Sequence, residues 1–256
     1  MAKILLFNPP TRKNVYLSTN TRIGAPSYPS LTLATLAANL INEHEVKIID
    51  LELEDNVHEA LSGLIDSFKP DIVASSANTP SYPVIKDLMT ATKENHPEIT
   101  TIAGGVHITA LPEEAGKEDC FDILVLGEGD VTIPEILSGP IKDVPGLIYK
   151  DALSRKTITT QKRKLISDLN AMPYPAWQLF SLKSYKNSRL SSRINPVGLI
   201  ETSRGCAFQC NFCNKLTFGS EYRVKEPKRV VDEMEYMLKA GFKEIHITDD
   251  SFTILL

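Results

Sequence analysis

Five short apolar runs, separated by longer amphipathic stretches, constrain this chain more than any other feature. Lys3 to Phe7, Val46 to Ile49, Ile72 to Ser75, Thr101 to Ala103 and Ile123 to Leu126 are apolar, β-rich runs. Runs of this length and character read as strands buried on both faces. Between and after them the spacing predicts helices over Leu31 to Asn42, Val57 to Phe68, Val84 to Asn95, Pro112 to Lys117 and Val131 to Leu137. Strand and helix in alternation predict an α/β fold, an open doubly wound parallel sheet, over residues 1 to 140. Ligands of such a sheet lie outside the carboxyl ends of its strands.

Beyond residue 140 the rhythm breaks. A short strand at Gly146 to Tyr149 precedes a polar and basic stretch, Asp151 to Lys164, and then Met172-Pro173-Tyr174-Pro175. Two prolines so close forbid a continuing helix, so residues 141 to 195 read as a linker. Alternation resumes with a strand at Val197 to Thr202, a helix around Lys228 to Ala240 and a strand at Glu244 to Thr248. The 256 residues, 42% of them hydrophobic, suffice for two modest cores. A formal charge of -4 supplies no basic footprint for nucleic acid or anionic membrane. No apolar run approaches the roughly 20 residues that span a bilayer, and the chain reads as untargeted and cytoplasmic.

The strand-end loops narrow the ligand. A dinucleotide needs free backbone N–H groups and glycines directly after the first strand. Asn8-Pro9-Pro10 stands there instead, and proline has no N–H to offer, so Asp50 at the end of the second strand need not be a ribose ligand. The glycines come later, in Gly104-Gly105-Val106-His107 and Gly127-Glu128-Gly129-Asp130, with small polar Ser75-Ser76-Ala77-Asn78 on the same rim. Glycine there lets backbone approach a ligand closely, or simply makes a tight turn. His107 is a ligand or a hydrogen-bonded loop histidine.

The four cysteines are too few for a disulfide scaffold. Cys120 stands alone, whereas Cys206, Cys210 and Cys213 fall within eight residues, on a loop after a strand and Ser203-Arg204-Gly205. Three thiolates can hold an iron–sulfur cubane with one iron left open, since such clusters normally take four cysteines. Zinc also favours clustered thiolates and needs a fourth protein ligand, for which His246 is available. Asp249 and Asp250 close the last strand, as acceptors for an ammonium group or as turn and capping residues. Arg204 is free for an anionic group or for a surface salt bridge.

Two sets of residues resemble a known family. Ala103-Gly104-Gly105-Val106-His107-Ile108-Thr109, Pro112-Glu113-Glu114 and Leu126-Gly127-Glu128-Gly129-Asp130 resemble the amino-terminal, flavodoxin- or Rossmann-like cobalamin-binding domain of many radical S-adenosylmethionine enzymes. Cys-x3-Cys-x2-Cys with Phe212 before the last cysteine is similar to the motif of that superfamily, and Tyr222-Arg223 and Ile245 to Phe252 continue the likeness. The resemblance implies cobalamin against Ser75, Ser76, Gly104, Gly105, His107, Gly127, Glu128 and Gly129. The Asp-x-His-x-x-Gly run that supplies a cobalt-ligating histidine is missing, so it implies cobalamin without that ligand. It further implies a 4Fe–4S cluster on Cys206, Cys210 and Cys213, with S-adenosylmethionine against Phe212, Asp249 and Asp250. A flavodoxin- or ferredoxin-type electron donor is implied as partner, and methyl transfer or ring formation as chemistry. A radical barrel of six units needs roughly 200 residues, by analogy with full barrels. Residues 196 to 256 therefore read as the first units of an incomplete barrel, and the chain as an amino-terminal fragment, expected to be inactive alone in S-adenosylmethionine cleavage. A cobalamin-binding module without catalysis and a zinc–thiolate scaffold stay open as alternatives.

Overall fold

Strand β1 (Lys3–Asn8) sends Leu5 and Phe7 to one face and Ile4 and Leu6 to the other, and all four are buried. In the computed structural model, which describes residues 1–10, 27–151 and 156–254, this strand sits inside a seven-stranded sheet. Helix α1 (Leu31–Ala38) follows, capped by Ser30, whose Oγ accepts from the Leu33 N–H at 3.3 Å. Then come β2 (Glu45–Asp50), α2 (Val57–Phe68), β3 (Ile72–Ser76), α3 (Tyr82–Asn95) and β4 (Thr100–Gly104). Two short helices, α4 (Val106–Ala110) and α5 (Pro112–Ala115), lead to β5 (Ile123–Val125) and α6 (Gly129–Ser138). Strands β1 to β5 are parallel in the order β2-β1-β3-β4-β5. That order reverses direction between β1 and β3, which opens a crevice at their carboxyl ends.

Helices cover both faces. Leu61, Ile65, Ile85 and Leu88 of α2 and α3 pack on one side of the sheet. Leu33 and Ala37 of α1 and Ile133 of α6 pack on the other. The five expected parallel strands are present. Helix α1 ends at Ala38 rather than at Asn42, and the helix expected at Pro112 is preceded by α4.

The segment 141–195, expected to be a linker, is packed in several places. Strand β6 (Leu147–Lys150) pairs antiparallel with β5, and β7 (Thr157–Thr159) pairs antiparallel with β6, extending the sheet at its far edge. Leu147, Ile148 and Tyr149 are all buried, which gives β6 its place against β5. Of the polar stretch after β6, residues 152–155 lie outside the described residues. Farther on, the Ala176 N–H donates to the Ala34 carbonyl at 2.9 Å, and the Tyr185 hydroxyl donates to Asp50 at 2.7 Å.

The remaining elements form a βαβ unit. Strand β8 (Val197–Ile200) pairs in parallel with β11 (Glu244–Ile247), and α7 (Pro227–Ala240) crosses between them. Between β8 and α7 lies a small antiparallel pair, β9 (Ser203–Arg204) with β10 (Arg223–Val224). Gly198 is required by packing: a Cβ there would stand 2.4 Å from Met237 Cε and 2.9 Å from the Phe242 ring. Ala34, Trp177, Ile200, Met237 and Phe242 make a third core, so α1 packs on the front sheet with Leu33 and Ala37 and on this unit with Ala34.

Candidate functional site: a strand-end cavity and a cysteine loop

The carboxyl ends of β1, β3, β4 and β5 surround a cavity of about 340 Å³. Asn8, Ser75, Ser76, Gly104, Gly105, Gly127, Glu128 and Gly129 line it, and Thr32 and Thr35 of α1 form a side wall. Seven of the eight expected contact residues are therefore brought together. His107 is not among the lining residues. It is buried and stacks on Tyr82 with ring centroids 4.0 Å apart, and its Nδ1 lies 3.2 Å from the Thr79 hydroxyl.

The glycines serve different ends. Gly105 adopts φ +96°, and a Cβ there would meet the Ala77 carbonyl and Ser76 Oγ at 2.6 Å, so the protein's own backbone imposes the residue. The Gly104 carbonyl accepts from Ala77 N–H at 2.8 Å, and the Ala77 carbonyl from His107 N–H at 3.0 Å, which locks the β3 and β4 ends together. Thr109 joins the next loop: its hydroxyl donates to the Gly105 carbonyl at 2.9 Å and accepts from Gly127 N–H at 3.0 Å. Gly127, at φ +81°, has room for a Cβ, which would meet only the Thr217 carbonyl in ordinary contact at 3.9 Å, so its backbone conformation alone demands glycine.

The wall opposite α1 comes from the second unit. Glu201, Arg204, Thr217 and Phe218 line the cavity there. Arg204 and Arg223 face each other across the β9–β10 ladder, so their side chains leave the same face. Both reach Glu128, which is 3% exposed: Arg204 Nη1 to Oε1 at 3.0 Å, Arg223 Nη1 to both oxygens at 2.9 Å. Arg204 also grips Asp130 with Nη1 and Nη2 at 3.0 and 3.2 Å, and Glu201 with Nε at 2.7 Å. Glu128 accepts further from Ile166 N–H at 2.8 Å. Burial works against the charge on Arg204, but Asp130 and Glu201 overcome it and hold the guanidinium protonated. Burial pushes the Glu201 carboxyl up despite Arg204. Neither Arg204 nor Glu128 is an exposed group awaiting a ligand; each is saturated by the other unit.

Arg204 is separated from the first cysteine by Gly205 alone. That glycine has φ +84°, and its absent Cβ would collide with the Glu221 carbonyl at 2.2 Å. Cys206 is half-buried, while Cys210 and Cys213 are exposed and Phe212 is 93% exposed. All three thiols are free of disulfides. Among the described residues no three His, Cys, Asp or Glu side chains converge as metal ligands, so the loop carries the donors without gathering them. Cys120 is buried among apolar side chains of the front sheet.

Asp249 is consumed locally. It accepts from Thr202 N–H at 2.6 Å, from Ser203 Oγ at 2.8 Å and from the Thr202 hydroxyl, which ties the end of β11 to the residues after β8. Asp250 is exposed. His246 engages Glu244 through Nε2 at 2.7 Å and lies 3.4 Å from the Tyr28 hydroxyl, rather than serving the thiols. Sequence reasoning missed Asn8, Thr32, Thr35, Thr109, Thr217 and Phe218. Asn8 was open to inference, since it ends a strand beside the topological switch point.

The family described as the B12 binding domain matches residues 25–137. An uncharacterized methyltransferase of Pyrococcus horikoshii is 34% identical over 260 residues, covering 98% of this chain and 54% of its own length. The anaerobic magnesium-protoporphyrin IX monomethyl ester cyclase of Cereibacter sphaeroides is 29% identical over 84% of this chain and 36% of its own. The chain thus spans about half or less of the length of these relatives. Among solved structures, the cobalamin-dependent S-adenosylmethionine radical enzyme OxsB, with aqua-cobalamin and S-adenosylmethionine bound, shares the fold. Its TM-score is 0.76 at 21% identity, over 98% of this chain and 34% of OxsB. On its front sheet, its cysteine loop and these likenesses together, the chain belongs to the radical S-adenosylmethionine enzymes that carry a cobalamin-binding domain.

Proposed function

We propose that this chain binds cobalamin in the strand-end cavity and a 4Fe–4S cluster on Cys206, Cys210 and Cys213, as part of an enzyme that transfers methyl groups or closes rings. One observation carries the reading: the segments that bracket the cysteine loop, Arg204 before it and Thr217 and Phe218 after it, are themselves a wall of the cavity. The two cofactor sites would share residues. The groups fit what is present. A cavity of about 340 Å³ walled by hydroxyls, amides and aliphatic carbons suits the base and ribose of a nucleotide tail, and Arg204, the one arginine among its described lining residues, is already neutralised. The cysteine loop offers three free thiols, the donor set that leaves one iron open.

When bound, the cluster supplies reductive cleavage of S-adenosylmethionine and cobalamin supplies a carrier for the transferred group. The chain's own residues do the holding. Ser75, Ser76, Gly104, Gly105, Gly127 and Gly129 form the rim for the cobalamin tail, with Thr32 and Thr35 opposite. Phe212 is the exposed aromatic available to an adenine, and Asp250 the exposed carboxylate available to an ammonium group. Asp249 acts one step back, fixing the β8 and β11 ends. A small flavodoxin- or ferredoxin-type protein would deliver the electron. Residues 1 to 140 would serve cobalamin and residues 196 to 256 the cluster, with the packed segment 141–195 between them.

Anaerobic reconstitution with iron and sulfide, read by iron count and cluster spectrum, tests the assignment. Each of Cys206→Ala, Cys210→Ala and Cys213→Ala should lose the cluster, and Cys120→Ala should keep it. An undiminished cluster in Cys210→Ala would sink it. A cobalamin-binding module without catalysis is the second reading, supported by the match of the B12 binding domain family to residues 25–137, ahead of the cysteine loop. A protein that binds cobalamin yet takes up no iron would establish it.

A further inference from the structure

We infer that Arg223 is a positioning residue that couples the cobalamin cavity to the cysteine loop, acting through the buried carboxylate of Glu128; the inference rests on the proposed cobalamin site. Arg223 does not line the cavity, yet it holds three things that do or that adjoin it. Its Nη1 grips Glu128 of the β5 loop at 2.9 Å and the Ile166 carbonyl at 2.6 Å, and its Nη2 donates to the Phe218 carbonyl at 3.0 Å. Phe218 forms cavity wall, and its ring lies under Arg204, with the guanidinium carbon 5.6 Å from the centroid. Arg204 and Phe218 bracket the cysteine loop. A single planar fork therefore fixes both ends of the loop to the rim of the cavity, by way of Glu128 at one end and the Phe218 carbonyl at the other.

The chemistry of the network makes this a coupling and not only a brace. Three carboxylates, Glu128, Asp130 and Glu201, meet two guanidiniums, Arg204 and Arg223, all largely screened from water. A buried set of this kind tolerates few arrangements, because any displaced member leaves a charge without partner or solvent. A ligand pressed against Glu128, Arg204 and Phe218 favours the one arrangement in which all are satisfied. That same arrangement fixes Gly205 and hence where the three thiols begin. By reciprocity, a cluster that fixes the loop must raise affinity for the cavity ligand by the same factor. Lysine cannot replace Arg223, since a point charge lacks the fork that reaches Glu128 and Phe218 together.

The full chain, free of iron and held anaerobic, tests this with cyanocobalamin as ligand and iodoacetamide as thiol probe, each cysteine followed by mass spectrometry. Buried Cys120 reports global opening and serves as the internal reference. Bound cyanocobalamin should slow alkylation of Cys206 by at least about fivefold relative to Cys120, the low end of ordinary coupling between sites. Arg223→Lys, held at a cyanocobalamin concentration that saturates it, should show no such slowing. Wild-type protection surviving in Arg223→Lys, or binding without protection in the wild type, would overturn the inference. Should Arg223→Lys fail to fold, hydrogen exchange on the unaltered chain reads the same coupling. Slowing that stops at residues 217–218 and leaves 206–213 unchanged would count against it. If cyanocobalamin does not bind at all, the cobalamin reading fails by itself. The positioning role is then decided in the ligand-free chain, where Arg223→Lys must speed alkylation of Cys206 and Cys213 over Cys120; an unchanged ratio would dismiss it.

Discussion

Gly105 holds the most constrained backbone of the front sheet, and the constraint is internal. With φ at +96° and the Ala77 carbonyl 2.6 Å from where a Cβ would go, Gly105→Ala should destabilise the protein by about 1–3 kcal/mol. Urea unfolding measures this; binding of cobalamin should fall with the folded fraction and not ahead of it. That the position needs glycine was legible from the sequence, but the reason was not, because Ala77 and Ser76 are far along the chain. His107 shows the converse. A histidine beside two glycines reads equally well as ligand or loop residue, and only its stacking on Tyr82 decides that it lies outside the cavity wall. Asp50 yields a prediction about acidity. Burial raises its carboxyl above its ordinary value of 3.8, although Asn8, Tyr185 and the Glu52 N–H draw it down. The folded state therefore binds this proton more tightly than the unfolded chain. Its contribution is complete below pH 3.8 and is lost as pH rises through the raised folded value. Asp50→Asn should remove that loss, so stability measured from pH 4 to 7 should fall less steeply in the variant than in the wild type.

The five parallel strands and their helices were legible because each strand is buried on both faces and leaves a continuous apolar run. Within the expected linker the strand at Gly146 to Tyr149 was legible and is β6, but its antiparallel pairing with β5 and the strand β7 were hidden, since an edge strand of three or four residues leaves little trace. The β9–β10 pair is two residues long on each side and carries arginines, so no periodicity announces it. Its effect is large all the same. Arg204→Met should cost about 3–5 kcal/mol, because Asp130 and Glu201 would remain buried without their guanidinium. Thermal unfolding of the apo-protein checks this; a loss smaller than that of an exposed control such as Lys228→Met would contradict it. At α7 the close contact is apolar. Gly198→Ala should destabilise by about 1–3 kcal/mol through overpacking. Since the nearest atom is the flexible end of Met237, the double variant Gly198→Ala/Met237→Leu should recover part of the loss.

At the scale of the whole molecule, the family was legible from two motifs, and the wall that the flanks of the cysteine loop give the strand-end cavity was not. The contacts of Glu128 with Arg204 and Arg223 span 76 and 95 residues of sequence, and no local pattern encodes such a pairing. The structure also bears on activity. Phe212 is 93% exposed and β8–β11 is a two-stranded sheet among the described residues, so S-adenosylmethionine would be held from one side only. Misplacement by about 1 Å can cost on the order of a hundredfold in rate. This chain, loaded with cluster and cobalamin, should therefore release much less 5′-deoxyadenosine under strong reductant than a relative about twice its length; equal yields would refute this. The Ala34 contact has a further consequence. One methyl group on α1 sits in the same core as Trp177 and Phe242, while its helix neighbours Leu33 and Ala37 belong to the front sheet. The front sheet is thus no interchangeable cassette. A chimaera that transplants it in front of another cysteine unit will succeed only where the donor helix also offers a small side chain at this point and the recipient a matching indole.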